Sequence, residues 1–224
     1  MRRLKQQIMK RETLKKQVYE YLREEIITGG IAPGERLIEE KIAKRIQVSR
    51  SPIREAIRLL EKDGLVTVNK GGGVTVFNPD IKNFKYLYEC RVELEPVAAY
   101  YAAKRITKEQ IDTLRKQLFF NKKRSEKYEL KTIHDMNTRF HEGIVQASGN
   151  PFLIKMISQL RGINSMYRIA ILKGNVLRAE SAIQEHLKIF EAIVNGYAEE
   201  ARQYMRDHIV NDYNFYMDIY KERK

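Results

Sequence analysis

Two β-branched runs, Leu65-Val66-Thr67-Val68 and Val74-Thr75-Val76-Phe77, flank a glycine tip at Lys70-Gly71-Gly72-Gly73. This hairpin signal decides the fold of the first third of the chain, because what precedes it reads as helix. Leu14, Val18, Leu22 and Ile26 recur every four residues, predicting one amphipathic helix that Gly29-Gly30 stops and Ala32-Pro33-Gly34 turns. A short helix at about 38–46 directs Ile42, Ala43 and Ile46 inward, and Gln47-Val48 turns the chain. Ser49-Arg50-Ser51-Pro52 opens a third helix. Proline suits a first helical turn, where its missing N–H is no loss, and either serine is placed to cap the free amides. That helix carries Ile53, Ile57 and Leu60 on its apolar side and ends at Gly64. Three helices and a hairpin predict a winged helix over residues 1–77.

Asn78-Pro79-Asp80 reads as a linker over 78–80, and beyond it every segment has helical period. Helices are expected at about 81–104, 107–126, 130–148, 151–173, 180–195 and 197–221. Thr107 and Gln110 have capping-box spacing, and Gly149, Gly174 and Gly196 fall at helix ends. Pro96 predicts a kink or break in the first of these helices. The expected fold is mainly α: an N-terminal winged helix-turn-helix, then an all-α six-helix bundle over 81–224.

Lys and Arg number 42 against 29 Asp and Glu, a net charge of +13, which favours a polyanionic partner. Cys90 is the only cysteine, which excludes an intrachain disulfide and suits a reducing compartment. No apolar run approaches the roughly 20 residues needed to span a bilayer, so no membrane association is expected. The basic Met1-Arg2-Arg3 start is not followed by an apolar segment of signal-peptide length. The expected location is cytoplasmic.

A helix-turn-helix lays its second helix into the major groove of DNA. Here that helix carries Arg50, Arg54 and Arg58 at four-residue spacing, a stripe opposite Ile53, Ile57 and Leu60. Guanidinium forks match guanine edges or phosphate oxygens. Ser49 and Ser51 stand where hydroxyls reach phosphate beside a helix N-terminus. Lys70, with Gly71 and Gly72 allowing close backbone approach, suits the adjacent minor groove.

The run Leu37-Ile38-Glu39-Glu40…Ile42-Ala43…Val48-Ser49-Arg50-Ser51-Pro52-Ile53-Arg54-Glu55-Ala56-Ile57, then Leu60…Gly64-Leu65-Val66 and Gly71…Val74, resembles the signature of GntR-type regulators. Gly30-Ile31-Ala32-Pro33-Gly34-Glu35-Arg36-Leu37 fits it too, so the match covers about residues 14–77. The resemblance implies Arg50 and Arg54 as principal operator contacts and Gly71 and its neighbours in the wing. It also implies a homodimer on a palindromic site of double-stranded DNA.

All four histidines lie beyond the linker. His186 shares a helix face with Ile183, Phe190 and Ile193. His208 shares one with Tyr204, Met205 and Phe215, and His141 one with Ile144 and Val145. Burying an unpaired imidazole costs about a few kcal/mol, and metal coordination removes that penalty. Asn137, one turn before His141, adds an amide oxygen. Three histidines and an oxygen suit Zn²⁺, with Ni²⁺ or Mn²⁺ as alternatives, and leave a position open. Each histidine could equally be a hydrogen-bonded core residue.

Asn137…Phe140-His141, Ser148-Gly149-Asn150, Glu185-His186 and Asp207-His208 resemble the metal-ligand pattern of the FadR-type C-terminal domain (FCD) in its six-helix version. The family often has an acidic residue where Asn137 stands. An uncharged amide binds a cation less well, so reduced metal affinity is expected. His134 reads as peripheral. Arg91, between Leu87 and Leu94 on an inward stripe, admits two readings. One is an internal ion pair with Glu95; the other, implied by the resemblance, is a clamp for a ligand carboxylate. Arg161 and Arg168, one heptad apart, are secondary ligand candidates.

The function so implied is a DNA-binding transcriptional regulator, expected to be a repressor and not an enzyme. A small organic acid in the helical domain, beside a divalent metal, would control operator affinity. Two other functional classes compete with this one. A metal-dependent hydrolase would use the open position on the metal to activate water. Against it, Glu142 and Glu185 adjoin the histidines in sequence but are expected to point elsewhere on their helices. A packaging or RNA-binding protein is disfavoured by the lack of interleaved aromatic and basic residues.

Overall fold

The computed structural model describes residues 13–119, 130–172 and 176–222, and it divides into two compact units between Pro79 and Asp80. In the first unit α1 spans Leu14–Thr28, β1 Arg36–Leu37, α2 Glu39–Ile46, α3 Arg50–Lys62, β2 Val66–Val68 and β3 Val74–Val76. The winged helix expected from sequence is present. Gly29, left-handed at φ 82°, caps α1, and Gln47 adopts the same region at φ 55° to turn α2 into α3. Val18, Leu22 and Ile26 of α1 pack in the core with Ile53, Ala56, Ile57 and Leu60 of α3. Leu14 departs from the predicted stripe: it starts the helix, overhangs the core and is 48% exposed.

The sheet has a strand that the hairpin signal did not contain. β3 is central, pairing antiparallel with β2 (Thr67↔Thr75) on one side and β1 (Arg36↔Thr75) on the other. A two-residue strand has too few positions to show alternation, so only its partner defines it. The wing tip is organised by Asn69, whose Oδ1 accepts from the amides of Gly71 (3.0 Å) and Gly73 (2.8 Å). A Cβ on Gly73 would sit 2.7 Å from Asn69 Nδ2, so a side chain there would displace the Asn69 amide.

The second unit contains, among the described residues, six helices: α4 (Ile81–Arg105), α5 (Lys108–Phe119), α6 (Leu130–Ala147), α7 (Pro151–Leu172), α8 (Val176–Val194) and α9 (Ala198–Glu222). Asp80 caps α4 by accepting from the Asn83 amide at 2.8 Å. α4 runs through Pro96 without the break considered above, and Pro96 is buried against its neighbours. The predicted part of the second helix beyond 119 falls outside the described residues. Phe84 stacks on Tyr213 and Tyr216 and meets Tyr167 edge-on, tying α4, α7 and α9 together. Ala98, Val145 and Leu153 form an apolar cluster between α4, α6 and α7. No helix among the described residues is long and apolar enough to cross a membrane.

Candidate metal centre and nucleic-acid interface

α3 presents Arg50, Arg54 and Arg58 on its exposed side, opposite the buried Ile53, Ile57 and Leu60. The guanidinium groups are not all free. Arg54 donates from Nε and Nη2 to the two carboxylate oxygens of Glu39 at 3.2 and 3.0 Å, and Arg50 Nη2 lies 3.6 Å from the same carboxylate. The Arg54 hydrogen bond holds the Glu39 carboxyl below its ordinary value. Ser49 occupies the N-cap position of α3 but makes no side-chain capping bond, contrary to one expectation, and Ser51 is exposed. Lys70, Gly71 and Gly72 are exposed at the wing. Glu39 and Asn69 were missed by sequence reasoning, since each acts through a partner that periodicity does not identify.

In the second unit α6, α8 and α9 bring His141, His186 and His208 together, all buried. Their Nε2 atoms converge: His141 and His186 stand 3.2 and 3.3 Å from that of His208. Each Nδ1 of His141 and His208 faces a carboxylate, Glu95 Oε2 at 2.6 Å and Glu185 Oε2 at 2.5 Å. An ionised carboxylate can only accept, so these Nδ1 atoms carry the protons. In neutral imidazoles the Nε2 lone pairs then point at one another, an arrangement that calls for a shared cation. Zn–N bonds of about 2.0–2.1 Å at tetrahedral angles would set donor nitrogens roughly 3.3 Å apart, which these separations match. Carboxylates on the far ring nitrogens are the usual support of metal-bound histidine.

Asn137, one turn before His141, is 7% exposed, and its Oδ1 has no hydrogen-bond partner among the described residues. That orphaned acceptor, four residues before His141 on α6, is the candidate fourth donor to the same cation. The donor set therefore suits a divalent ion. Tyr204, expected on the inward face with His208, is instead 37% exposed. His134 has no described side chain.

Glu142 and Glu185 do not point away, as helix position alone suggested. Glu185 reaches across to α9 and His208, and Glu142 lines the neighbouring cavity and pairs with Arg161. A helical wheel ranks faces of one helix and misses groups that meet from adjacent helices. Burial pushes the Glu185 carboxyl up, but hydrogen bonds from His208 and Arg178 outweigh it and bring it down to about 2. Arg178 also holds Asp212, both side chains being about 5% and 6% exposed. Neither Arg178 nor Asp212 was singled out from sequence, although the four-residue spacing of His208 and Asp212 was a usable signal.

Beside the histidines lies a cavity of about 120 Å³, lined by Arg91, Thr138, His141, Glu142, Arg161 and Asn164 among others. Arg91 is 1% exposed and donates from Nε to Glu95 Oε1 at 2.6 Å, as the ion-pair reading had it. Its Nη1 and Nη2 have no hydrogen-bond partner among the described residues. Burial acts to lower the Arg91 pKa, but the Glu95 carboxylate outweighs it, so the guanidinium stays charged. Arg161 is half-exposed and already paired to Glu142; the side chain of Arg168 lies outside the described residues.

Residues 14–76 match the family described as bacterial regulatory proteins, gntR family, and residues 86–211 match the FCD domain. The HTH-type transcriptional regulator YdhC of Bacillus subtilis (strain 168) is 34% identical over 209 residues, 93% of each chain. The HTH-type transcriptional repressor RspR of Escherichia coli (strain K12) is 26% identical, over 88% of this chain and 86% of its own. The fold is shared with E. coli McbR/YncC, at a TM-score of 0.78 and 23% identity, covering 94% of this chain and all of the other. The winged helix, the helical bundle and these matches agree: the chain belongs to the GntR family of DNA-binding transcriptional regulators and carries an FCD domain.

Proposed function

We propose that this regulator is a homodimeric repressor whose hold on a palindromic operator is controlled by a small carboxylate bound beside a divalent metal in the FCD domain. The observation that carries the reading is the cavity shared by Arg91 and His141. It is lined by Arg91, two of whose guanidinium nitrogens have no hydrogen-bond partner among the described residues, and by His141, one of the three converging imidazoles. A buried cation with donors to spare selects an anion. Zn²⁺, or Ni²⁺ or Mn²⁺, on His141, His186, His208 and Asn137 would add a Lewis-acidic contact to the same ligand. Arg161, already paired with Glu142, and Arg168 are secondary candidates for the same ligand.

On the DNA side the reading assigns Arg50, Arg54 and Arg58 to base edges and phosphates, with Ser49 and Ser51 at the helix terminus. Lys70, Gly71 and Gly72 follow the minor groove. The uncapped N-terminus of α3 and the exposed arginine stripe support it. Repression is the sign named for one relative, RspR. The effector must favour one arrangement of the two units over the other for binding to alter operator affinity.

Footprinting of upstream DNA, with and without Zn²⁺ and a panel of small carboxylates, tests the proposal. A discrete palindromic footprint that one metal–acid combination weakens is the expected result. Uniform coating of DNA, or a footprint indifferent to every acid, overturns it. Within that footprint, Arg54→Ala lowers operator binding by about 1–3 kcal/mol.

A further inference from the structure

Glu95 is a carboxylate that touches both halves of the ligand site. Its Oε1 receives Arg91 Nε and its Oε2 receives His141 Nδ1, each at 2.6 Å, and all three side chains are buried. Arg91 and Glu95 lie one turn apart on α4, whereas His141 comes from α6. The cavity-facing guanidinium and the imidazole of His141 are thus joined through a single carboxylate, by one hydrogen bond to each of its oxygens.

We propose that Glu95 is a positioning residue that makes the anion clamp and the metal centre one unit. Because Arg91 claims one oxygen, the other is left for His141 Nδ1. That contact keeps the ring proton on Nδ1 and presents the Nε2 lone pair on the side of the other imidazoles, as a donor to a cation. The inference rests on the metal reading above and adds a residue that is not itself a ligand.

The chemistry of the isosteric amide makes this testable. In Glu95→Gln the arginine, a donor only, retains the amide oxygen, so the NH₂ group turns to His141. Nδ1 must then accept, the ring proton moves to Nε2, and the metal-binding lone pair is lost. Removing the arginine as well, in Arg91→Met/Glu95→Gln, releases the amide to turn its oxygen back to Nδ1.

The experiment titrates Zn²⁺ against a chelator of known affinity in the native chain and these variants, with ¹⁵N imidazole spectra of the metal-free proteins and far-UV circular dichroism. The native chain is expected to show His141 protonated on Nδ1. Glu95→Gln should show the proton on Nε2 and a Zn²⁺ affinity about 10–100-fold weaker. The double variant should regain the Nδ1–H form and most of the lost affinity. A merely structural glutamate predicts the reverse order, with the double variant the weakest, and that order overturns the proposal.

If Glu95→Gln does not fold, Arg91→Met/Glu95→Met is compared with Arg91→Met/Glu95→Gln. Loss of the last acceptor for His141 Nδ1 then lowers Zn²⁺ affinity about 10-fold or more, and equal affinities refute the assignment. Native protein that binds no Zn²⁺ sinks the metal reading and this inference together. Native and Glu95→Gln protein binding it equally sinks only the inference.

Discussion

Arg54 and Glu39 face each other fork to fork, two parallel hydrogen bonds of 3.2 and 3.0 Å joining α3 to the first turn of α2. A bidentate guanidinium–carboxylate pair fixes orientation as well as charge. The carboxylate therefore aims the side chain that the recognition helix offers to DNA and withholds part of its charge from phosphates.

Glu39→Ala is expected to loosen that aim. The freed Arg54 and Arg50 gain phosphate contacts, so affinity for random-sequence duplex rises while preference for the operator falls. The salt dependence of binding should steepen by about one unit in log K against log salt, one phosphate contact's worth. Fluorescence anisotropy across a salt series on both duplexes checks this; an unchanged operator preference would remove Glu39 from DNA reading.

His186→Ala removes one of three converging nitrogens from the bundle. Stoichiometric Zn²⁺ should be lost with helix content retained. For the native chain, Zn²⁺ at roughly 100 times its Kd adds about 2.7 kcal/mol of stability. A thermal melt should rise with Zn²⁺ for native protein and stay flat for the variant. Full metal occupancy in the variant would contradict the site.

Arg178→Met should be the most destabilising single change among those considered. It leaves the buried Asp212, and the partly buried Glu185, without their guanidinium, and breaking a buried pair in this way costs about 3–5 kcal/mol. Urea unfolding of the metal-free protein measures it. A loss within 1 kcal/mol, on the scale of an exposed pair, would show that Arg178 is not structurally required.

Asp80 gives a pH-dependent signature at the start of α4. The Asn83 amide holds its carboxyl below the ordinary value, so the folded state favours the charged form. The stabilisation is therefore complete above the unfolded pKa of about 3.9 and is lost as pH falls through the lower folded value. Asp80→Ala should cost about 1 kcal/mol at neutral pH. The gap between native and variant should close only in acid; a gap that is level down to pH 2 would exclude the cap.

Much of the architecture was legible because it is local. Apolar spacing placed Ile53, Ile57 and Leu60 inward and so turned Arg50, Arg54 and Arg58 outward, since a helix has only two sides to offer. The three inward histidines were conspicuous for a related reason: their own helices dictated their direction, and all are buried together. The pairing of Arg91 with Glu95 was readable from four-residue spacing on one helix.

What came only from the tertiary structure is every contact made between elements. Glu39 under Arg54, Glu185 against His208, Asp212 beneath Arg178 and β1 beside β3 each join segments whose separation along the chain carries no periodic mark. Helical and strand repeats report which face of an element is apolar over a few residues. They do not report which neighbour that face will meet, because that depends on how whole elements pack. The amino-acid order thus determined the two units and the direction of their functional side chains. Packing decided which carboxylates stand behind them, and with that the protonation and charge that the site presents.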